Sequence, residues 1–168
     1  LDVTTPSAPQ LLYSYNTPGY AWSVVLDSPP GNTYAYIADG SSGLRIRNIS
    51  NPAAITQVGF YDTPGAARDV TYYEVKIFIA DGTPGVIALN ISDMAAPVLI
   101  DTRNTAGTAE ALKIIERFVF VADGDQGLSV VKFTQSNQFD LAYLLQIDTP
   151  GYAQSLMVYG SYVYLADD

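Results

Sequence analysis

The sequence predicts an all-β fold built from one four-stranded unit that is repeated along the chain. A Thr-Pro-Gly or Thr-Ala-Gly step alternates with an Ala-Asp-Gly step, and 42 residues separate Asp39 from Asp81 and Asp81 from Asp123. The runs between these steps are short and strand-like, and one of them is apolar on both faces, which indicates a sheet covered on both sides. Antiparallel sheets stacked in this way form a β-propeller, with about 42 residues in each four-stranded blade.

Each repeat is predicted to contain the same elements in the same order. The Thr-Pro-Gly step is interpreted as a type II turn whose glycine takes a positive φ, and strand one follows it. Strand two, the doubly apolar run, spans 34–38, 76–80, 118–122 and 162–166. The Asp-Gly-x-x-Gly segment is predicted to be a hairpin turn. Strand three (44–49, 86–91, 128–133) follows, and strand four (55–60, 98–102, 141–146) is more polar, as suits the edge of a sheet.

The repeat boundaries predict a propeller segment over 1–168 that is cut in mid-blade at both termini. Residues 1–19 are interpreted as the second half of a blade, 19–65, 65–107 and 107–151 as full repeats, and 151–168 as the first half of a blade. Two length differences interrupt the period, at residues 28–32 and near 135–137. We expect both to lie in surface loops, where insertions are tolerated.

The composition excludes several classes of function. With 48% hydrophobic and 15% charged residues the chain is not of the disordered type, and its net charge of −9 disfavours nucleic acids and anionic membranes as partners. No apolar run reaches the length of a membrane span, so we expect no membrane insertion. The sequence has no histidine and no cysteine, which excludes imidazole and thiolate chemistry. We therefore expect no enzyme and no cofactor; a carboxylate pair such as Asp69 and Glu110 is the remaining route to a hydrolase.

Residues 44–52 read Leu-Arg-Ile-Arg-Asn-Ile-Ser-Asn-Pro, and 86–93 and 128–134 are further copies of this segment. Together with the Ala-Asp-Gly step, they resemble the LVIVD repeat family, whose repeat ends approximately in Asp-Ile-Ser-x-Pro. The resemblance implies a β-propeller of the kind found in secreted or surface-exposed prokaryotic proteins, with no catalytic residues to transfer. The chain departs from the pattern at Asn48 and Asn90, where the family usually has aspartate, and at Met94, where the first two copies have Pro6 and Pro52.

One position varies completely while its surroundings stay constant. The third residue after each turn glycine is Trp22, Arg68, Glu110 or Gln154. At the start of an innermost strand, these side chains would surround the mouth of the central channel and, with Tyr20 and Tyr152, could bind a sugar or a peptide. The alternative is a solvated rim that is free to vary.

Two further sets of residues have a possible function and a structural alternative. Asn48 and Asn90 begin Asn-x-Ser acceptors for N-glycosylation, or they are inherited with the repeat and bond locally at a strand end. The repeated aspartates could bind calcium, with Asp123 and Asp125 the least unfavourable pair. We favour the alternative, in which each aspartate caps its hairpin turn, so no metal site is expected.

These patterns favour a non-enzymatic, extracellular structural protein that assembles into a filament or layer at the cell surface. Its partners would be copies of itself or other surface proteins, with possible glycans. The alternative is a ligand-binding propeller that recognises a sugar or a peptide at the channel mouth.

Overall fold

The computed structural model describes residues 1–134 and 139–168, and the insertion predicted near 135–137 lies outside these residues. Over the described residues the chain forms fourteen strands in four antiparallel sheets. The first sheet contains β1 (Ser23–Asp27), β2 (Tyr34–Ala38), β3 (Leu44–Asn48) and β4 (Thr56–Tyr61), and the second contains β5 (Asp69–Tyr73), β6 (Lys76–Ala80), β7 (Val86–Asn90) and β8 (Val98–Arg103). The third contains β9 (Ala111–Ile115), β10 (Phe118–Ala122), β11 (Leu128–Phe133) and β12 (Leu141–Ile147), and the fourth pairs β13 (Ala153–Tyr159) with β14 (Tyr162–Asp167).

Each four-stranded sheet is a meander in which the strands lie side by side in chain order. Strand four is therefore an edge strand in all three sheets, as its polarity predicts. The ladder between strands three and four shifts register at one equivalent place in each sheet, after Ile46, Ala88 and Val130. A bulge that recurs at the same repeat position is part of the fold and bends the outer strand in each blade alike.

The sheets stack on one another through their first strands. β1 contacts β5, β5 contacts β9, and β9 contacts β13. A pair of backbone hydrogen bonds joins each sheet to the next, between Gly40 and Ala67 and again between Gly82 and Ala109. The third junction is the same bridge between Gly124 and Ala153. The four sheets form a propeller-like arrangement that does not close into a ring within residues 1–134 and 139–168.

The hydrophobic core lies between the sheets, so both faces of strand two are buried as predicted where a sheet has neighbours on both sides. In the fourth sheet the prediction is wrong for strand two, where Tyr162 is 69% and Tyr164 is 56% exposed. In β6, Ile77 and Ile79 pack towards the first sheet, while Phe78 and Ala80 pack towards the third. These four side chains have no exposed surface. Because its two faces pack against different sheets, this strand joins three layers of the structure. Burial of one such aliphatic or aromatic side chain stabilises a fold by roughly 1.5–3 kcal/mol.

The two kinds of turn differ in why they need glycine. In the Asp-Gly-x-x-Gly hairpin, Gly40 and Gly43 have φ of 57° and 70°, which confirms the prediction for this turn. In the Thr-Pro-Gly turn the prediction of a positive φ is wrong. Gly65 has an ordinary φ, but a Cβ atom there would lie 2.1 Å from the backbone oxygen of Asp81. The glycine is required because another part of the backbone approaches it closely.

The first fifteen residues hold one antiparallel bridge, between Asp2 and Gln10, and no strand. The pairs Asn48–Thr56 and Asn90–Val98, at the ends of the strand three–strand four ladders, have the same eight-residue separation. The interpretation of residues 1–19 as a half-blade stays a prediction. Within the part of the chain that the structure describes, no helix is long and apolar enough to cross a membrane.

Candidate functional site at the channel mouth

The structure brings the four variable side chains together. Trp22, Arg68, Glu110 and Gln154, with Tyr152, line one cavity of about 400 Å³. They converge because the first strands of the four sheets lie side by side and the four residues occupy equivalent places in them.

The backbone of these residues is fixed by the sheets. The N–H groups of Trp22, Arg68 and Glu110 each donate to the carbonyl oxygen of the alanine that ends strand two of the same sheet, at 2.8 Å in all three cases. Since this bond does not involve the side chain, residues other than proline can occupy the position and keep the bond. This explains how a constant frame carries four different side chains.

The side chains contact one another from sheet to sheet. The Arg68 guanidinium lies 5.5 Å from the centre of the Trp22 ring, and its Nη1 lies 2.9 Å from Oε2 of Glu110. The Tyr152 hydroxyl donates to Oε1 of Glu110 at 2.6 Å. Side chains from all four sheets therefore form one continuous chain of contacts along the cavity.

The electrostatics of the site are set by Glu110. This carboxylate is largely buried, yet both its oxygens accept charged or polar donors, which compensates the cost of its burial. The hydrogen bond that Tyr152 donates to it raises the pKa of the Tyr152 hydroxyl, because the bond and the nearby negative charge oppose loss of the proton. Tyr152 is therefore a hydrogen-bond donor at neutral pH.

The remaining members of the site are more exposed. Gln154 is exposed, and its amide nitrogen donates to a carboxylate oxygen of Asp168 at 2.8 Å. Tyr20 was expected to join the site, but it does not line the cavity. It is 78% exposed and lies beside Trp22, with the ring centres 6.1 Å apart.

Asp69 has a structural part that no local pattern in the sequence predicts. Its carboxylate accepts from the Ser23 hydroxyl at 2.6 Å and from the N–H of Leu112 at 2.9 Å, so it joins the first three sheets. Asp69 was considered only as half of a carboxylate pair with Glu110. Both carboxylates accept hydrogen bonds from the protein.

The repeated aspartates have one common role that differs from the predicted hairpin cap. Asp81 is fully buried, and its oxygens accept from the Thr63 hydroxyl at 2.5 Å and from the Gly65 N–H at 2.8 Å. The carboxylate thus holds the Thr-Pro-Gly turn that begins the same repeat. Asp39 does the same with Thr17 and Gly19, at 2.5 and 3.0 Å.

Asp123, one of the two residues considered for calcium, also accepts hydrogen bonds from donors of the protein. Its oxygens accept from the hydroxyls of Thr105 and Ser129 at 2.6 and 2.8 Å, and burial raises the pKa of its carboxyl. Asp125 is exposed in the adjoining hairpin. In residues 1–134 and 139–168 no group of three or more His, Cys, Asp or Glu side chains could hold a metal ion.

The two predicted glycosylation acceptors lie at equivalent strand ends. The Asn48 side chain accepts from the Ser50 N–H at 2.9 Å, and Asn90 accepts from the Ser92 N–H at 2.8 Å. These are the local bonds expected if the asparagines are inherited with the repeat and bond at a strand end. Asn90 is exposed and Asn48 is partly buried, so Asn90 is the more accessible acceptor.

Comparison with known proteins identifies the repeat. The LVIVD repeat family matches the chain four times, over residues 18–63, 64–105, 106–138 and 150–168. No curated protein matches the chain. The matched segments cover most of the sequence and coincide with the stacked sheets described above, so the chain belongs to the LVIVD repeat family.

Proposed function

We propose that this chain is a non-enzymatic binding module that recognises a small polar ligand, a sugar or a peptide, at the mouth of the channel. The observation that supports it most is the convergence of Trp22, Arg68, Glu110 and Gln154 on one cavity. The volume, about 400 Å³, is within the range of about 300–1,000 Å³ that is typical of small-molecule sites.

The pattern of constant and variable positions also supports binding. All four repeats keep the threonine, the turn glycine and the aspartate, and the threonine bonds the aspartate in the first three. The residue that lines the cavity differs in every copy. A solvated rim would not require its side chains to contact one another. Here they form an ion pair and a hydrogen bond across neighbouring sheets, which gives the cavity a defined wall.

The chemistry of the site favours binding over hydrolysis. A carboxylate hydrolase requires two available carboxyl groups roughly 5–10 Å apart in a cleft. Glu110 is held by Arg68 and Tyr152, and Asp69 is held by Ser23 and Leu112. Neither carboxylate is positioned as a free nucleophile or general acid.

A ligand screen that uses the protein's own fluorescence tests this proposal. Trp22 is the single tryptophan of the sequence, but it also lines a second cavity with Tyr15 and Arg47, so a variant of Arg68 is needed to assign a change in its emission. We expect a saturable change with at least one member of a panel of neutral sugars and short peptides, and we expect Arg68→Ala to weaken that binding by about tenfold or more. Arg117→Ala, which removes an exposed arginine elsewhere, is the matched control. A response that survives Arg68→Ala would contradict binding at this cavity.

A second candidate function is self-assembly into a filament or layer. Within the described residues β14 pairs with β13 alone, and an unpaired strand is a template for another chain. The same sheet exposes large side chains, namely Met157, Tyr159, Tyr162 and Tyr164. Sedimentation velocity should show large species that Tyr164→Lys dissociates and that Tyr13→Lys leaves intact. A monomer at all concentrations would count against assembly.

The site of action is proposed to be the exterior of the cell. The two Asn-x-Ser acceptors support it, and Asn90 is exposed at a strand end. Intact mass measurement of protein from its native source, before and after glycosidase treatment, tests this. We expect added mass that disappears with Asn90→Gln; an unmodified mass would remove this support.

A further inference from the structure

We propose that the ligand of this cavity is a neutral saccharide, stacked on Trp22 and hydrogen-bonded by Arg68, Glu110 and Gln154. This inference rests on the proposed binding function and specifies its ligand. It follows from three properties of the cavity: its charge balance, the occupation of its backbone groups, and its exposed indole.

The cavity wall is electrically balanced. Within the described part of the chain, its lining holds one cation, Arg68, and one anion, Glu110, and their charged atoms lie 2.9 Å apart. A carboxylate or phosphate ligand could reach Arg68 through Nε, which has no hydrogen-bond partner among the described residues, but it would then lie beside the Glu110 carboxylate, whose like charge repels it. A cationic ligand would have to displace Arg68 in turn. An uncharged ligand keeps the pair intact.

The backbone at the mouth is not available to a peptide. Peptides that bind by strand addition use main-chain hydrogen bonds to an open strand edge. At this mouth the N–H groups of Trp22, Arg68, Glu110 and Tyr152 all donate to carbonyl oxygens of strand two or its end, at 2.8 Å each. Recognition is left to the side chains.

The side chains offer both donors and acceptors, as hydroxyl groups require. A sugar hydroxyl donates one hydrogen bond and accepts two, so it can bridge a guanidinium and a carboxylate. Arg68 supplies donors, and Glu110 supplies a fixed carboxylate beside it. The Gln154 nitrogen is bonded to Asp168, which leaves its carbonyl oxygen as an acceptor.

The apolar part of the cavity is a flat aromatic surface. Trp22 is 58% exposed, although indole is among the side chains that gain most from burial. Arg68 lies over the ring at 5.5 Å from its centre, so a sugar would stack on the part of the indole that Arg68 leaves exposed. A pyranose ring has apolar C–H faces and a polar rim, so its face fits the indole while its hydroxyls reach the polar side chains.

The test measures binding of named probes to the whole chain by calorimetry and by Trp22 fluorescence. The neutral probes are glucose, galactose, mannose, N-acetylglucosamine and cellobiose; the charged probe is glucuronate, and the peptide probes are trialanine and triglycine. We expect at least one neutral saccharide to bind, and glucuronate to bind at least about tenfold more weakly than glucose.

Substitutions in the cavity test whether the saccharide binds there. Arg68→Ala and Gln154→Ala should each weaken binding by about tenfold or more, since each removes a hydrogen-bonding group. Arg117→Ala and Gln57→Ala replace exposed side chains away from the cavity and should leave the affinity unchanged. Gln154 is exposed and lies at the surface of its strand, so this variant should fold even if Arg68→Ala does not.

The outcomes separate this inference from the proposed function. Peptide binding without saccharide binding, lost in Arg68→Ala, would overturn the saccharide and leave binding at the mouth standing. A preference for glucuronate, or saccharide binding that both variants retain, would also overturn the inference. No binding by either class of probe would overturn both.

Discussion

The Asp81 carboxylate should contribute more to stability than any exposed charge of the chain. The Asp81→Ala substitution removes the acceptor of two hydrogen bonds, from the Thr63 hydroxyl at 2.5 Å and from the Gly65 N–H at 2.8 Å. Thr63 and Asp81 are both buried, so water cannot easily replace the lost acceptor.

The magnitude follows from the two donors that are left without partners. A buried donor without an acceptor costs about 1–3 kcal/mol, so we expect Asp81→Ala to lower the free energy of unfolding by roughly 2–5 kcal/mol. Asp125→Ala is the matched control, because it removes an exposed carboxylate from the equivalent hairpin of the next repeat. A surface change of this kind should stay within about 0.5 kcal/mol.

The pH dependence gives a second, independent measurement. Burial raises the pKa of the Asp81 carboxyl, against the opposing hydrogen bonds from Thr63 and Gly65. A folded-state pKa above the unfolded value means that the folded protein binds the proton more tightly. The contribution of this group is therefore fully present below the unfolded pKa of about 3.9 and is lost as the pH rises through the folded pKa.

The Asp81→Asn variant separates charge from hydrogen bonding. Its amide oxygen can accept from Gly65 while its nitrogen donates to the Thr63 hydroxyl oxygen, so both contacts can persist without the buried charge. Urea unfolding at neutral pH and near pH 4.5 should show a smaller gain on acidification for this variant than for the wild type. The reasoning is refuted if Asp81→Ala costs no more than Asp125→Ala, or if Asp81→Asn keeps the full pH dependence.

Three further predictions concern Asp69, a pair of glycines and calcium, and each is checked by a stability measurement. Asp69→Ala should lower the free energy of unfolding by about 2 kcal/mol, because the N–H of Leu112 loses its acceptor at 2.9 Å; a change within the error of urea unfolding would argue against this contact. Gly65→Ala should cost about 3 kcal/mol, since the new Cβ would lie 2.1 Å from a backbone oxygen. Gly160→Ala, where nothing lies within 4 Å and φ is +58°, should cost only about 1 kcal/mol, and the reverse order would contradict this account. Removal of calcium with a chelator should leave the melting temperature unchanged, because the Asp123 oxygens accept from protein donors; a fall in melting temperature would restore the calcium hypothesis.

The strands could be predicted from the sequence because each follows from a local pattern. Strand two was predicted at 34–38, 76–80 and 118–122, and these are the bounds of β2, β6 and β10. The hairpin glycines were also predicted correctly, since a positive φ is a local requirement. The convergence at the mouth followed from repeat geometry alone, because residues at one repeat position must lie at one radius of the stack.

What the sequence did not predict depends on contacts between distant residues. Gly65 was assigned a positive φ, but its need for glycine comes from the backbone oxygen of Asp81, sixteen residues further along the chain. The aspartate was assigned to its own hairpin, where the local N–H groups are instead bonded to backbone oxygens. The ion pair of Arg68 and Glu110 could have been predicted, because successive repeats carry opposite charges at the same position.

The separation of frame and rim explains how the residue at the cavity can vary while the repeat stays stable. The Thr63–Asp81–Gly65 contacts fix the turn, and the backbone hydrogen bond of Arg68 then fixes the start of the strand. None of these bonds uses the Arg68 side chain, so the stability of the turn and the chemistry of the cavity depend on different atoms. Exchange of rim side chains should therefore change the ligand while the fold persists, whereas a change to the aspartate should weaken the fold whatever the rim carries. The side chains around the cavity can therefore vary because the frame that holds them does not.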